Sequence, residues 1–325
     1  MILILSSDGD LSCDLVQDWL HYYNHPYIRI NTDDFIKKRL KVVISGTQMT
    51  CVLDDREIPL NDIYAIWYRK YGFFRCSETY KKLCDTKKFS EDVINHITKE
   101  FIKVIDFFEY ALRDRNWLTN PAHSNLNKVE VLYQASKCGL DVAESFIVNK
   151  KIDLKEVSGK VISKSILDPI IPSWGDKHKC MMYTTIVKDN FMNGIPETFM
   201  PSLIQALIPK EYELRIFYIC GKLYPMAIFS QKDKQTKLDF RNYNWEKPNR
   251  FVPCMLEPDI KTKIRKLMRV LGLNCGSIDM IKGTDGKLYF LEVNPTGQFG
   301  MVDFPCNYGL HKIVAEELIK MDKKK

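Results

Sequence analysis

The stretch SIDMIKGTDGKLYFLEVNP, residues 277–295, decides the fold of this chain. Two apolar runs flank Thr284-Asp285-Gly286, which is typical of the turn in a β-hairpin. Asp279 and Glu292 interrupt these runs, and an unpaired carboxylate inside an apolar strand is costly. The pattern therefore predicts two antiparallel strands whose acids face a positive partner.

The same stretch predicts a metal site. On paired antiparallel strands Asp279 and Glu292 can face one side, and Asn294 shares the face of Glu292 two residues away. Oxygen ligands of this kind suit Mg²⁺, which completes its shell with water and nucleotide phosphates. Salt bridges to Lys or Arg are the alternative interpretation, and they explain one acid more easily than all three residues together.

Two lysines are candidates for binding a triphosphate. Lys128 begins a predicted helix, where the dipole and free amides favour anions, and Lys164 lies in an apolar strand. Taken singly, each also fits an ordinary surface lysine. The sequence contains neither a Walker A motif nor a GxGxxG motif, so it predicts an ATP site built from lysines and strands.

The order of these parts resembles the ATP-grasp superfamily over about residues 120–300. The matching parts are Asn120-Pro121, Asn127-Lys128, Gly139, Lys164, residues 205–209, Glu213-Leu214-Arg215, Asp279 and Glu292-Val293-Asn294-Pro295. This resemblance implies a site between two α+β lobes. For ATP it implies contacts with the phosphates, adenine and ribose from Lys128, Lys164, Gln205, Ala206, Leu207, Ile208, Glu213 and Asn242.

The resemblance also implies the reacting groups. Arg215 matches the arginine that faces the reacting carboxyl and the γ-phosphate, and Arg241 matches one near the phosphates. Asp279, Glu292 and Asn294 match the metal ligands, with two Mg²⁺ ions expected and Mn²⁺ able to substitute. No histidine is assigned to catalysis.

A closer resemblance is to the ATP-grasp maturases of graspetides, the microviridin-type peptides, and within them to the grasp-with-spasm branch. The segments behind it are Trp67-Tyr68-Arg69-Lys70, residues 208–215, residues 228–231 and residues 238–243. Two departures, Lys70 where Arg is expected and Phe240 where Trp is frequent, leave the ATP chemistry unaffected but put in doubt which precursor peptide is bound.

The predicted fold class is α/β, an ATP-grasp fold in three parts. Residues 1–119 form a pre-ATP-grasp domain, 120–202 a central subdomain with a lid or leader-docking hairpin at 173–199, and 203–325 a C-terminal subdomain. One long helix is predicted over residues 90–117. Peptide contacts are assigned to Arg69, Tyr183 and Asp239.

Composition and charge indicate where the protein is expected to act and with which partners. The net charge of +7 is spread along the chain, so it does not indicate nucleic acid, and the apolar run at residues 1–5 is too short for a signal or membrane segment. Ten cysteines without any CxxC pair favour reduced thiols in a cytoplasm. The family resemblance adds a homodimer and a ribosomal precursor peptide as partners.

The function that follows is activation of a carboxylate by ATP as an acyl phosphate. A graspetide maturase would join Asp or Glu side chains to Ser or Thr hydroxyls as esters, or to Lys amines as amides. A RimK-like ligase that adds amino acids to a protein or small-molecule carboxylate is the first alternative, since the same site residues serve both. A nucleotide-binding protein without turnover, which only presents a peptide, is the second.

Overall fold

The computed structural model describes residues 1–37, 39–69, 71, 74–86, 88–157, 159–166, 173–174, 178–179, 184–187 and 194–323. Within these ranges the chain forms two compact units, and the first combines residues 1–124, 295–304 and 308–325. The second contains residues 125–294 and 305–307. The three-part division of the sequence analysis stays a prediction.

The described helices are α1 (Leu11–Tyr22), α2 (Glu78–Asp85), α3 (Glu91–Ala111), α4 (Lys128–Lys137), α5 (Lys151–Glu156), α6 (Pro258–Val270), α7 (Gly300–Cys306) and α8 (Leu310–Lys323). No described helix has the length and apolar character that crossing a membrane requires.

The first nine strands are β1 (Ile2–Ser6), β2 (Tyr27–Asn31), β3 (Leu40–Ser45), β4 (Gln48–Leu53), β5 (Arg56–Pro59), β6 (Ala65–Tyr68), β7 (Asn116–Leu118), β8 (Asp141–Val142) and β9 (Ser145–Lys150). The remaining strands are β10 (Val161–Lys164), β11 (Ser173–Trp174), β12 (His178–Lys179), β13 (Thr185–Val187), β14 (Thr198–Ala206), β15 (Lys210–Ile219), β16 (Lys222–Phe229), β17 (Arg250–Pro253), β18 (Cys275–Gly283) and β19 (Leu288–Asn294).

The first unit is built on a parallel sheet in the order β2-β1-β6-β7. Every residue of β1 is buried, as expected for a strand whose sheet is covered on both faces. Helix α8 contacts β1, β6 and β7, while Ile105 and Phe108 of α3 join the core cluster that contains Leu3 and Leu5. A separate antiparallel sheet, β3-β4-β5, completes this unit.

The predicted helix over residues 90–117 is wrong at its end. Ser90 caps the N-terminus as the sequence suggests, but the helix stops at Ala111, and Asn116–Leu118 continues as β7 beside β6. The apolar residues after the helix belong to the sheet: Trp117 and Leu118 lie in β7 and are buried. Helical spacing alone could not separate these two kinds of burial.

The second unit holds two larger sheets. A six-stranded sheet runs β17-β16-β15-β18-β19-β8, and a four-stranded sheet runs β13-β10-β14-β9. Helices α4 and α6 pack on the six-stranded sheet through a shared apolar core that includes Leu132, Ile264 and Phe290. The predicted hairpin of residues 277–295 is confirmed as β18 and β19.

Glu109 of α3 gives the first unit a stability that depends on pH. Burial, together with nearby Asp106, raises the pKa of Glu109 to about 7. A carboxyl whose pKa is higher in the folded state favours folding at low pH, and this stability is lost as the pH rises through about 7. Glu109→Gln mimics the protonated acid. We therefore expect its unfolding free energy, relative to that of the parent, to be about 2 kcal/mol higher at pH 8 than at pH 5.

Urea unfolding at both pH values measures this difference. Glu100→Gln, at an exposed position of the same helix, is the matched control and is expected to show no such trend. Parallel pH profiles for Glu109→Gln and the parent would contradict the assignment.

Candidate active site

Three neighbouring strands of the second unit align the charged residues of the site. The register places Arg215 of β15 opposite Asp279 of β18, and Asp279 opposite Glu292 of β19. Directly opposite residues point to the same face of a sheet. The structure therefore places the two acids on one face, as the sequence predicted.

Arg215 and Asp279 form a nearly buried ion pair. Arg215 Nη1 donates to Asp279 Oδ2 at 2.6 Å, and the side chains are 12% and 14% exposed. Burial raises the pKa of Asp279 although Arg215 opposes the shift. Asp279 Oδ1 and Arg215 Nε are buried without a hydrogen-bond partner among the described residues. The pair therefore offers one acceptor, Asp279 Oδ1, and one donor, Arg215 Nε–H, to a ligand.

Glu292 lies among three cations. Lys128 Nζ, on the first residue of α4, is 3.3 Å from Glu292 Oε2, and Lys164 and Arg241 also act on this carboxylate. Burial alone would raise the pKa of Glu292, but the cations outweigh it and hold the pKa below its ordinary value. The region thus carries more positive than negative charge, which suits a polyphosphate.

Arg241 is held in place by Asp239. Arg241 Nε and Nη2 donate to the two oxygens of Asp239 at 2.9 and 2.7 Å, a bidentate pair that fixes the guanidinium plane. Asp239 is 8% exposed and fully engaged, so these contacts give no support to its predicted peptide contact. Asn242 is half-buried and exchanges hydrogen bonds with Gln235.

Glu213 lies in a network that the sequence analysis did not foresee. It accepts from Lys210 Nζ and from Ser230 Oγ, both at 2.5 Å, and burial raises its pKa. Residues three apart on a regular strand face opposite sides, but the register of β15 shifts between Lys210 and Tyr212. The β-bulge brings Lys210 and Glu213 together, and no pattern in the sequence signals it.

The predicted adenine-binding segment, residues 205–208, begins within the last two residues of β14. The N–H groups of Ala206 and Leu207 donate to the carbonyl oxygens of Glu144 and Lys160 at 2.9 and 2.8 Å. Gln205 is buried and donates to Ser145 Oγ. These two N–H groups are therefore already engaged, and the adenine contact of the segment stays a prediction.

These elements enclose a cavity of about 880 Å³ within the second unit, a volume suited to a nucleotide. Eleven predicted site residues line it: Lys128, Lys164, Gln205, Ala206, Leu207, Ile208, Glu213, Asp239, Arg241, Asp279 and Glu292. Three others, Arg215, Asn242 and Asn294, belong to the same unit but are not among its lining residues. Tyr183, like about half of the predicted docking hairpin, lies outside the described residues.

Arg69 belongs to the first unit and is 3% exposed. Its Nη1 donates to the carbonyl oxygens of Thr296 and Gly297 at 2.8 and 3.2 Å, and its guanidinium lies near the rings of Trp67 and Phe299. Arg69 thus clamps the loop that follows β19. Its peptide contact stays a prediction without support from this geometry.

The donor set fits a hard divalent cation. Asp279 Oδ1 is an orphaned buried oxygen, Glu292 lies opposite it, and Asn294 follows on the same face. Among the described residues, no group of three or more His, Cys, Asp and Glu side chains is arranged to hold a metal. A metal here would therefore depend on two acids and one amide.

Lys164 offers a test of nucleotide binding. Burial lowers its pKa, with Glu292 acting in the opposite direction, so the lysine is costly to bury without an anion. We expect Lys164→Met to weaken ADP binding by about 10- to 100-fold while leaving the unfolding midpoint unchanged or higher. Titration calorimetry and thermal unfolding measure the two effects, with Lys150→Met at an exposed position of β9 as the control. Unchanged ADP affinity would contradict a contact between Lys164 and the nucleotide.

Comparisons with known proteins bear on the fold. The family described as the MvdD pre-ATP grasp domain matches residues 1–124. A search of curated proteins found no match.

Solved structures match nearly the whole chain. The macrocyclase MdnC of Microcystis aeruginosa MRC, bound with precursor peptide MdnA, is 23% identical, with a TM-score of 0.80 over 98% of this chain and all of that one. A RiPP-associated ATP-grasp ligase of Chryseobacterium gregarium, with ADP, leader and core peptide, is 22% identical, with a TM-score of 0.87 over 98% of this chain and 96% of that one.

The ATP-grasp ligase PsnB, with minimal precursor, Mg and ADP, is 16% identical, with a TM-score of 0.77 over 99% of this chain and 97% of that one. The predicted ATP-grasp fold is confirmed, and so is the resemblance to microviridin-type maturases.

Proposed function

We propose that this ATP-grasp chain is an ATP-dependent ligase that crosslinks side chains of a ribosomal precursor peptide. One observation carries the proposal: the cavity of the second unit sets two opposed strand acids, Asp279 and Glu292, against Lys128, Lys164 and Arg241. Such an arrangement suits a metal-bound triphosphate. The three similar proteins named above, each solved with a precursor, leader or core peptide, support a peptide as the second substrate.

The residues that would hold Mg²⁺ are Asp279, Glu292 and Asn294. When bound, the ion offsets charge on the phosphates during transfer of the γ-phosphoryl group. Lys128 and Lys164 would bind phosphate oxygens, while Glu213 and the segment after β14 would hold ribose and adenine.

Two arginines would act on the reacting groups. Arg241, oriented by Asp239, supplies fixed positive charge in the cavity. Among the residues that the structure describes, the Nε–H of Arg215 has no partner, and it would donate to the donor carboxylate and then to the tetrahedral oxyanion. Phosphorylation makes phosphate the leaving group in place of oxide, so transfer to a nucleophile needs positioning more than a nucleophilic side chain of the enzyme.

The finer points belong to the same proposal. The donor is an Asp or Glu side chain, and the product is an ester with Ser or Thr or an amide with Lys. The enzyme uses two Mg²⁺ ions, which Mn²⁺ can replace, and it is a homodimer in the cytoplasm. Membership of the grasp-with-spasm branch is also part of it.

Intact mass of a candidate precursor tests the proposal. A short peptide rich in Thr, Ser, Asp and Glu, encoded near this gene, is incubated with the enzyme, Mg²⁺ and ATP. Successive losses of about 18 Da, one water each, are expected from intramolecular condensation through an acyl phosphate.

Other outcomes would redirect the proposal. A mass gain by amino-acid residues would support the amino-acid ligase. An unchanged peptide with no ATP turnover, in a protein that still binds ATP, would support the binding protein without turnover.

A further inference from the structure

Residues 230–249, between β16 and β17, form the loop that brings Arg241 to the cavity of the second unit (the Arg241 loop). Buried polar groups join its two ends. The Oγ1 of Thr236 lies 3.0 Å from the carbonyl oxygen of Ser230 and 3.1 Å from Asn249 Oδ1. Ser230 and Thr236 are fully buried, where polar groups need such partners. These bonds fix the ends of the loop, so the position of its middle depends on further contacts.

Lys210 of β15 contacts the middle of the Arg241 loop. Its Nζ donates to the carbonyl oxygen of Leu238 at 2.9 Å and to Glu213 Oε1 at 2.5 Å. The side chains of Lys210 and Glu213 are 7% and 8% exposed. A buried ammonium that loses a partner is left with an uncompensated desolvation cost, so both contacts are expected to persist. Lys210 therefore holds the loop against β15 and Glu213.

The contact with Leu238 lies one residue before the pair that orients Arg241. Asp239 is buried and accepts both hydrogen bonds from the guanidinium of Arg241. Burial opposes the ionisation of Asp239, but Arg241 and, more weakly, Lys210 hold its pKa below the ordinary value. Lys210 thus acts on this segment in two ways, through the backbone of Leu238 and through the charge of Asp239.

The donors of Lys210 are largely committed to the protein. Lys210 lines the same cavity as Glu213, Leu238, Asp239 and Arg241. An ammonium has three N–H donors, and two of those of Lys210 bind Glu213 and Leu238. At most one donor is left for a nucleotide, so these contacts favour a role in holding the loop.

We propose that Lys210 is a positioning residue for the transfer reaction, holding the Arg241 loop against β15 so that Arg241 keeps its place in the cavity. The proposal rests on the function proposed above. Glu213, which would hold the ribose, binds the same ammonium, so the ribose site and Arg241 are kept in one arrangement. A small displacement of a charged group from the reacting atoms is enough to slow catalysis substantially.

A double-mutant cycle with Arg241 tests the proposal. The parent, Lys210→Met, Arg241→Met and the double variant are incubated with the candidate precursor, Mg²⁺ and ATP, and the rate of the 18 Da loss is measured by intact mass. If Lys210 acts through Arg241, its removal matters little once Arg241 is absent. We expect Lys210→Met to slow crosslinking about 30-fold in the parent but at most about threefold in the Arg241→Met background.

The dependence of the rate on ATP separates positioning from direct nucleotide contact. The rates of the cycle are measured at saturating ATP, so weaker nucleotide binding alone does not lower them. A loss confined to the KM for ATP would mark Lys210 as a nucleotide contact and overturn the positioning role. Losses that multiply in the double variant would overturn it as well, because they would show that Lys210 acts independently of Arg241.

Lys232→Met is the matched control. It removes an exposed lysine of the same loop that does not line the cavity, and it is expected to leave the rate unchanged. If Lys210→Met does not fold, as judged by thermal unfolding, Lys210→Gln replaces it in the same cycle. No mass loss with the parent enzyme would instead overturn the proposed function, and the inference with it.

Discussion

The Glu292→Gln variant is expected to form ADP about 10³-fold more slowly than the parent, a loss of roughly 4 kcal/mol in transition-state stabilisation. Glutamine keeps the volume of the side chain but cannot neutralise a metal ion. It also leaves Lys128, Lys164 and Arg241 without the carboxylate that now faces them. Nucleotide affinity without metal is therefore expected to rise while turnover with Mg²⁺ falls.

These opposite changes distinguish a metal ligand from a residue that merely stabilises the fold. ADP release is measured by a coupled assay, and ADP binding by calorimetry with and without Mg²⁺. Glu211→Gln, at an exposed position of strand β15 in the same sheet, controls for the loss of a carboxylate in general. Normal turnover in Glu292→Gln, or equal weakening of both properties, would count against the metal site.

The Arg215→Met variant is expected to lose about 3 kcal/mol of unfolding free energy together with its activity. It leaves Asp279 buried without its cation, and Asp279 already has a raised pKa because of burial. An unpaired buried charge costs more than the pair contributes, so Arg215→Met/Asp279→Leu is expected to recover most of the stability. The double variant stays inactive, since both groups belong to the proposed chemistry.

Urea unfolding and ADP release measure the two properties side by side. Lys263→Met breaks the more exposed Lys263–Asp259 pair of α6 and is expected to cost about 0.5 kcal/mol or less. A stable, active Arg215→Met variant would refute both the energetic and the catalytic role.

Much of the six-stranded sheet could be predicted because its signals are local. The turn residues after Gly283 and the two-residue period of the strands predict the hairpin and the shared face of Asp279 and Glu292. Asn127 as the cap of α4 likewise places Lys128 at a helix start. These features need only backbone geometry and neighbouring residues.

Other contacts escaped prediction because they depend on burial and strand pairing that the local sequence does not specify. Asp239 and Arg69 were predicted to contact the peptide, yet Asp239 is buried against Arg241 and Arg69 donates to carbonyl groups more than 200 residues away. The pairing of Lys210 with Glu213 depends on a bulge whose position the partner strand sets.

The sequence by itself determined the local features behind the proposed chemistry: opposed acids on a hairpin, lysines at a helix start and in a strand, and an order of parts resembling ATP-grasp proteins. Only the tertiary structure decided which polar groups are satisfied and which have no hydrogen-bond partner among the described residues, as for Asp279 Oδ1 and Arg215 Nε. The physical reason is that strand period and capping are local, whereas burial and the pairing of polar groups depend on which elements pack together.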